Sequence, residues 1–237
     1  MTAKLNDVLV DPVSGLAHRV RPAGAAQPKA HCLLLLHGVG ANESGFVELA
    51  RQMDPRLVVI LVRGPVVFGP AQFGWFPVRF EQAGPVIDAE QAERSRSKLV
   101  SFIHQLPKAY DIDPERIWIA GFSQGGIMSA SVGLTAPASI AGFAILSGRI
   151  LPEVLPAVQH SPQLRSVHAF VAHGVQDQKL GVHFAHHAKA VLSELELPLD
   201  YREYAAGHVL DDAMVGDFKQ WLGQRIDQKT AATGKVR

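Results

Sequence analysis

The sequence predicts an α/β domain in which a mostly parallel sheet is covered by helices on both faces. Three observations lead there. Short runs that are apolar throughout recur along the chain, amphipathic segments with helical spacing separate them, and polar, glycine-bearing junctions follow several of the runs. A strand buried on both faces reads as a continuous apolar run, and helices crossing between parallel strands supply the covers.

The runs suited to buried strands are Cys32–Leu36, Leu57–Val62, Arg116–Ala120, Gly142–Leu146 and Val167–Ala172, with a further strand over Leu199–Tyr204. Between them, "GFVELARQM" brings Phe46, Leu49, Ala50 and Met53 to one helical face. "AEQAERSRSKLVSFIHQL" buries Leu99, Phe102, Ile103 and Leu106 and pairs Glu90 with Arg94 at i,i+4. "HFAHHAKAVLSEL" aligns Phe184, Ala188, Val191 and Leu195, and "VLDDAMVGDFKQWL" aligns Leu210, Met214, Phe218, Trp221 and Leu222. There is no repeat, and "RPAGAAQPKA" (Arg21–Ala30) is too short to separate domains. We expect one domain over 1–225 and a frayed tail over 226–237, which lacks apolar periodicity.

The 237 residues suffice for one sizeable core. A net charge of +1 gives no electrostatic case for nucleic acid or an anionic membrane. Runs such as Leu57–Val62 are too short to span a bilayer, so no integral membrane segment is expected. The N-terminal "MTAKLNDVLVDP" has no apolar leader core, and the single cysteine, Cys32, excludes an intrachain disulfide; together these favour the cytoplasm. Cys32 lies inside an apolar run and reads as a small core residue.

In parallel sheets ligands gather at the carboxyl ends of the strands, so the junctions are where chemistry is sought. They read "HGVGANE" after Leu36, "GFSQGG" after Ala120, "HGVQD" after Ala172 and "AAGH" after Tyr204. In "GFSQGG" a strand meets a small-residue helix through Gly-x-Ser-x-Gly. Glycines at 121 and 125 relieve the crowding of a sharp turn, which projects Ser123 Oγ above the sheet edge as a nucleophile. The plain alternative is a helix start that needs small residues. A serine needs a base and the base an orienting acid, in the order Ser, Asp or Glu, His for this kind of fold. His208, preceded by Gly207 and following the last strand, is the candidate base, with an exposed pre-helix histidine as the alternative. Asp177 is the candidate acid, because it follows a strand whereas Asp200 begins one; it could also be a plain turn residue. The oxyanion hole would use the backbone N–H groups of Gln124 and Val39. His37 precedes Ser123 and reads as a residue that steadies the loop.

No metal and no cofactor is expected. His183 and His187 stand at i,i+4 but lack the acidic partner of an HExxH arrangement. The segment Arg63–Pro85 carries five of the seventeen aromatic residues with four glycines and four prolines, so neither regular helix nor strand is expected there. Its Phe73, Trp75 and Phe76 are candidate substrate-binding residues in an apolar wall or lid; the alternative is a loop packing its own cluster.

With these pieces assembled, the chain resembles the phospholipase/carboxylesterase family of α/β-hydrolases, which includes acyl-protein thioesterases. The resemblance is carried by "LLLLHGVGANE", "LVRGP", "GWFP", "DPERIWIAGFSQGG", "ILSG", "HGVQD" and "AAGH", from about residue 31 to 208. It implies a single-domain α/β-hydrolase fold, a Ser123–Asp177–His208 triad, an oxyanion hole from Val39 and Gln124, no metal, and hydrolysis of carboxylic esters, with Trp75 lining the substrate pocket. "HGVGANE" stands where acyl-protein thioesterases commonly read closer to "HGLGDTG", and Pro77 where they commonly have an aspartate. The ester-hydrolase class is therefore expected ahead of a protein-thioesterase role. The expected partner is a small-molecule ester. A thioesterase or lysophospholipase on the same scaffold is the near rival, and a non-catalytic ligand-binding protein the distant one. A homodimer through a helical surface or the aromatic loop is compatible with the sequence.

Overall fold

A computed structural model describes residues 5–24, 29–81 and 84–234, without the side chains of Phe80 and residues 229–234. The central sheet has eight strands in the order β1-β2-β4-β3-β9-β10-β11-β12. They are β1 (Leu9–Val10), β2 (Ala17–Arg21), β3 (Ala30–Leu36), β4 (Leu57–Val62), β9 (Ile112–Phe122), β10 (Gly142–Leu146), β11 (His168–Gly174) and β12 (Leu199–Tyr204). From β4 to β12 every pairing is parallel; β1 and β2 add an antiparallel edge. This is the α/β-hydrolase fold expected from the sequence.

The apolar strands divide their side chains by the two-residue period of a strand. Cys32, Leu34 and Leu36 face a core shared with α2 (Ala89–Tyr110), α3 (Gln124–Thr135) and α4 (His183–Glu194). Leu33 and Leu35 face a second core with α1 (Val47–Gln52) and α5 (Asp212–Gly234). There Phe170, Phe218 and Trp221 pack ring on ring, and Trp221 meets Trp118 edge-on at 5.6 Å. Helix α2 starts where Asp88 accepts the backbone N–H of Gln91 at 2.8 Å, an N-cap that satisfies one orphan donor.

Several expectations are corrected. Strand β2, "AHRVR", is not an apolar run and went unexpected; its Arg21 is buried because the guanidinium donates to the carbonyls of Asp54 and Leu57. In α4 the buried face is Ala185, Ala188 and Leu192, not a stripe begun by Phe184. Helix α5 runs to Gly234, through most of the segment expected to fray, because it propagates from a fully buried Ile226; residues 235–237 lie outside the described residues. So do residues 25–28 of the Arg21–Ala30 connection and residues 82 and 83 of the aromatic segment.

The aromatic segment is also regular where irregularity was expected. It folds as two antiparallel hairpins, β5 (Val66–Gly69) with β6 (Gln72–Gly74) and β7 (Val78–Glu81) with β8 (Gly84–Ile87). The glycines and prolines fall largely at strand ends and turns. The first turn contains Ala71 at φ 57°, and β8 begins at Gly84, φ 117°.

Candidate active site

Strand β9 ends at Phe122 and α3 begins at Gln124, so Ser123 alone makes the turn. Its φ of 54° and ψ of −118° are unfavourable for a residue with a Cβ, a strain seen where a side chain must be held outward. The crossing is tight enough to require glycine on both sides. A Cβ on Gly121 would stand 2.1 Å from the Gly125 carbonyl carbon, and one on Gly125 would stand 2.0 Å from the Leu36 carbonyl oxygen.

Three distant junctions meet at this turn. Ser123 Oγ lies 2.9 Å from His208 Nε2, and His208 Nδ1 lies 2.6 Å from Asp177 Oδ2. The partners set the proton positions: Nδ1–H donates to the carboxylate, and Nε2 accepts the serine O–H. Asp177 is buried, and its Oδ1 accepts the N–H groups of Lys179 and Leu180, each at 2.8 Å. Its Oδ2 is also 3.3 Å from Nε2 of buried His173, whose closer bond, at 2.6 Å, goes to the Leu180 carbonyl. The His208 loop is tied to the loop after β11, with Gln176 N–H donating to Ala206 O at 3.0 Å. The Phe122 ring lies 4.9 Å from the imidazole.

The loop after β3 reaches the same point. A Cβ on Gly38 would come 3.3 Å from Ser123 Cβ, so the residue before Val39 passes close to the serine. Gln124 is the first residue of α3, where an N–H has no intrahelical acceptor. Both Val39 and Gln124 line the cavity that opens at Ser123. His37 steadies this loop as expected: Nδ1–H donates to Gly38 O at 2.7 Å, and Nε2 accepts the Gly64 N–H at 2.9 Å. Burial pushes its pKa down, keeping the ring in the neutral form this pair of bonds needs.

The aromatic candidates separate. Phe76 lines the cavity, with Val78, Pro85 and Ile87 from the β7–β8 hairpin. Trp75 is fully buried and acts as a strut, its indole N–H donating to the His37 carbonyl at 2.9 Å. Phe73 is absent from the lining: its ring lies under Arg63, whose guanidinium carbon is 4.6 Å from the ring centre, and its backbone bonds Gly40 and Ala41. In the structure Trp75 and Phe73 support the loops that form the wall.

Two supports went unread in the sequence. The Gln124 side chain clamps the wall, Oε1 accepting Trp75 N–H and Nε2 donating to Phe76 O, both at 2.7 Å. Glu43 is buried and forms a two-point ion pair with Arg63 at 2.6 and 2.7 Å. Desolvation opposes ionisation of Glu43, but the Arg63 bonds win and hold its pKa below the usual value. Neither "SQG" nor "ANE" signals these bonds, since each partner is remote in sequence.

The cavity beside Ser123 has a volume of about 550 Å³ and mostly apolar walls. A larger one of about 780 Å³, between the turn at 164–166 and the end of α4, contains none of Ser123, Asp177 and His208. Among the described residues no group of three or more His, Cys, Asp or Glu could hold a metal, and no helix is long and apolar enough to cross a membrane. His183 and His187 are exposed on α4.

A doubly covered parallel sheet with this serine turn at its carboxyl edge defines an α/β-hydrolase. The chain belongs to the phospholipase/carboxylesterase family, whose pattern it matches over residues 20–226. It is 31% identical over 172 residues to acyl-protein thioesterase 1 of Eremothecium gossypii, covering 67% of this chain and 71% of that protein. Against acyl-protein thioesterase 1 of Kluyveromyces lactis it is 30% identical over 184 residues, 72% and 79% of the two chains. Among solved structures it resembles a carboxylesterase from Mesorhizobium loti, with a TM-score of 0.78 at 22% identity over 92% of this chain and 99% of that one.

Proposed function

We propose that the protein is a serine carboxylesterase that hydrolyses carboxylic esters of small to medium acyl chain through an acyl-enzyme. The observation that carries this reading is the unbroken hydrogen-bonded sequence Ser123–His208–Asp177 at the mouth of a mostly apolar cavity. Membership of an ester- and thioester-cleaving family supports it.

His208 Nε2 takes the Ser123 proton as Oγ bonds to the ester carbonyl carbon. The carbonyl oxygen becomes an oxyanion, met by the N–H groups of Val39 and Gln124. Collapse expels the alcohol, which leaves with the proton carried by His208. Water then attacks the acyl-enzyme, giving its proton to His208, and the C–Oγ bond breaks to return Ser123 and release the acid. Asp177 holds the imidazole in the tautomer that can accept and stabilises its charged form.

Hydrolysis of 4-nitrophenyl acetate, butyrate and octanoate by wild type and Ser123→Ala tests the reading. Loss of nearly all turnover in the variant is expected; equal turnover would reduce the serine turn to a structural feature. Irreversible labelling by a fluorophosphonate separates the enzyme from a pure binding protein, which should not react. The thioesterase alternative is favoured by the likeness to acyl-protein thioesterase 1 of Eremothecium gossypii and Kluyveromyces lactis, and matched thioesters and oxyesters of one acyl chain separate the two.

A further inference from the structure

We propose that the cavity selects esters bearing an anionic group, in the simplest case a carboxylate at the end of an apolar chain, and that Arg149 and Lys179 are the residues that select them. The inference rests on the esterase reading and names the substrate class of that site.

Among the described residues Arg149 and Lys179 are the only Lys or Arg in the cavity lining, which has no aspartate or glutamate. Gly148 packs against the serine turn, where an added Cβ would lie 3.0 Å from Ser123 O, so Arg149 leaves the backbone beside the candidate nucleophile. Arg149 is 9% exposed, yet among the described residues no carboxylate lies within ion-pair distance of it. The residues outside the described set include no aspartate or glutamate.

What Arg149 does have is weak. One Nη donates to Pro85 O at 3.4 Å, the guanidinium carbon lies 5.0 Å from the centre of the Phe184 ring, and Nε is buried without a partner. Desolvation pushes the guanidinium's pKa down, with only the charge of exposed Glu153 opposing it. A buried cation with no carboxylate paired to it is costly, and fitting an anion against it offsets that cost. Lys179 adds a second, exposed positive charge at the same cavity, and its backbone is fixed by its bond to Asp177. The remaining walls, Val39, Phe76, Val78, Ile87, Ile127 and Leu180, suit the methylenes between the ester and the charge.

The test compares kcat/KM for mono-4-nitrophenyl adipate with that for 4-nitrophenyl hexanoate, and for 4-acetoxybenzoate with that for 4-methylphenyl acetate. The first pair places the anion on the acyl side and the second on the alcohol side. Using ratios cancels any general loss of activity in a variant. In Arg149→Met the anionic-to-neutral ratio should fall roughly tenfold or more in at least one pair, as for loss of a charged hydrogen-bond partner, while Arg149→Lys should lie between. Lys179→Gln, at an exposed position where folding is not at stake, should lower the same ratio by about threefold. Wild-type ratios in both Arg149→Met and Lys179→Gln would overturn the proposal. If wild type hydrolyses none of the four esters, the esterase reading fails separately. The anion site is then read from melting temperature: adipate should raise it more than neutral adipamide in wild type but not in Arg149→Met, and equal shifts would overturn it.

Discussion

The side-chain carbonyl of Gln124 accepts the backbone N–H of Trp75 at 2.7 Å, so the residue after the candidate nucleophile also fixes the cavity wall. Its amide completes the clamp on the Phe76 carbonyl. Gln124→Met strands a buried donor and a buried acceptor, and a loss of about 2–4 kcal/mol is expected. The N–H of residue 124 survives the change, so KM should suffer more than kcat. Urea denaturation and steady-state kinetics check both; unchanged stability would mean that water replaces the amide at no cost.

Asp177→Asn separates orientation from folding. The asparagine Oδ1 can still accept from Lys179 and Leu180, but its amide would donate to Nδ1 of His208 and move the ring proton to Nε2. That nitrogen could then no longer accept from Ser123. A fall in kcat of about 10³–10⁴ is expected, with a cooperative fold retained. A variant as fast as wild type would remove Asp177 from the chemistry.

Glu43→Gln probes the strut beneath the Val39 loop. It removes the charge that faces Arg63 at 2.6 and 2.7 Å and Arg19 at 3.5 Å. Breaking a fully buried pair costs roughly 3–5 kcal/mol; Arg63 keeps some contact with water, so about 2 kcal/mol is expected. A denaturation midpoint equal to wild type would show that the arginine simply turns to solvent.

Stability should fall on mild acidification. Burial, together with Arg116 and Arg56, pushes His31 from its ordinary 6.5 to about 4, and burial also lowers His37 and His173. A histidine whose value is lower folded than unfolded binds its proton more readily in the unfolded chain. Its contribution is therefore complete above about pH 6.5 and is lost as pH falls toward 4, up to about 3 kcal/mol for His31. Protonated His37 would also present Nε2–H to the Gly64 N–H. Urea midpoints at pH 7.5, 6 and 5 should decline in order; a flat series would contradict the burial of these rings.

The six parallel strands and the helices between them, and the junctions that bring Ser123, Asp177 and His208 together, are legible in the chain. Buried parallel strands must be apolar on both faces, and a sharp strand-to-helix turn must be flanked by glycine; both demands are local and leave their mark in consecutive residues. Which side chains face the cavity is not local. Trp75 and Phe76 are neighbours in "GWFP", yet one is a strut and the other a wall, because Gln124 and His37 hold them from 49 and 38 residues away. The hairpins within Arg63–Pro85 are similarly hidden, since their strands are short and interrupted by proline and glycine. Nothing in "LSGRI" singles out Arg149. Only the packing of Gly148 against the serine turn, and the lack of a carboxylate within ion-pair distance among the described residues, make it an unpaired charge in the cavity wall. Burial and charge balance are sums over segments far apart in sequence, and the tertiary structure is what brings those segments together.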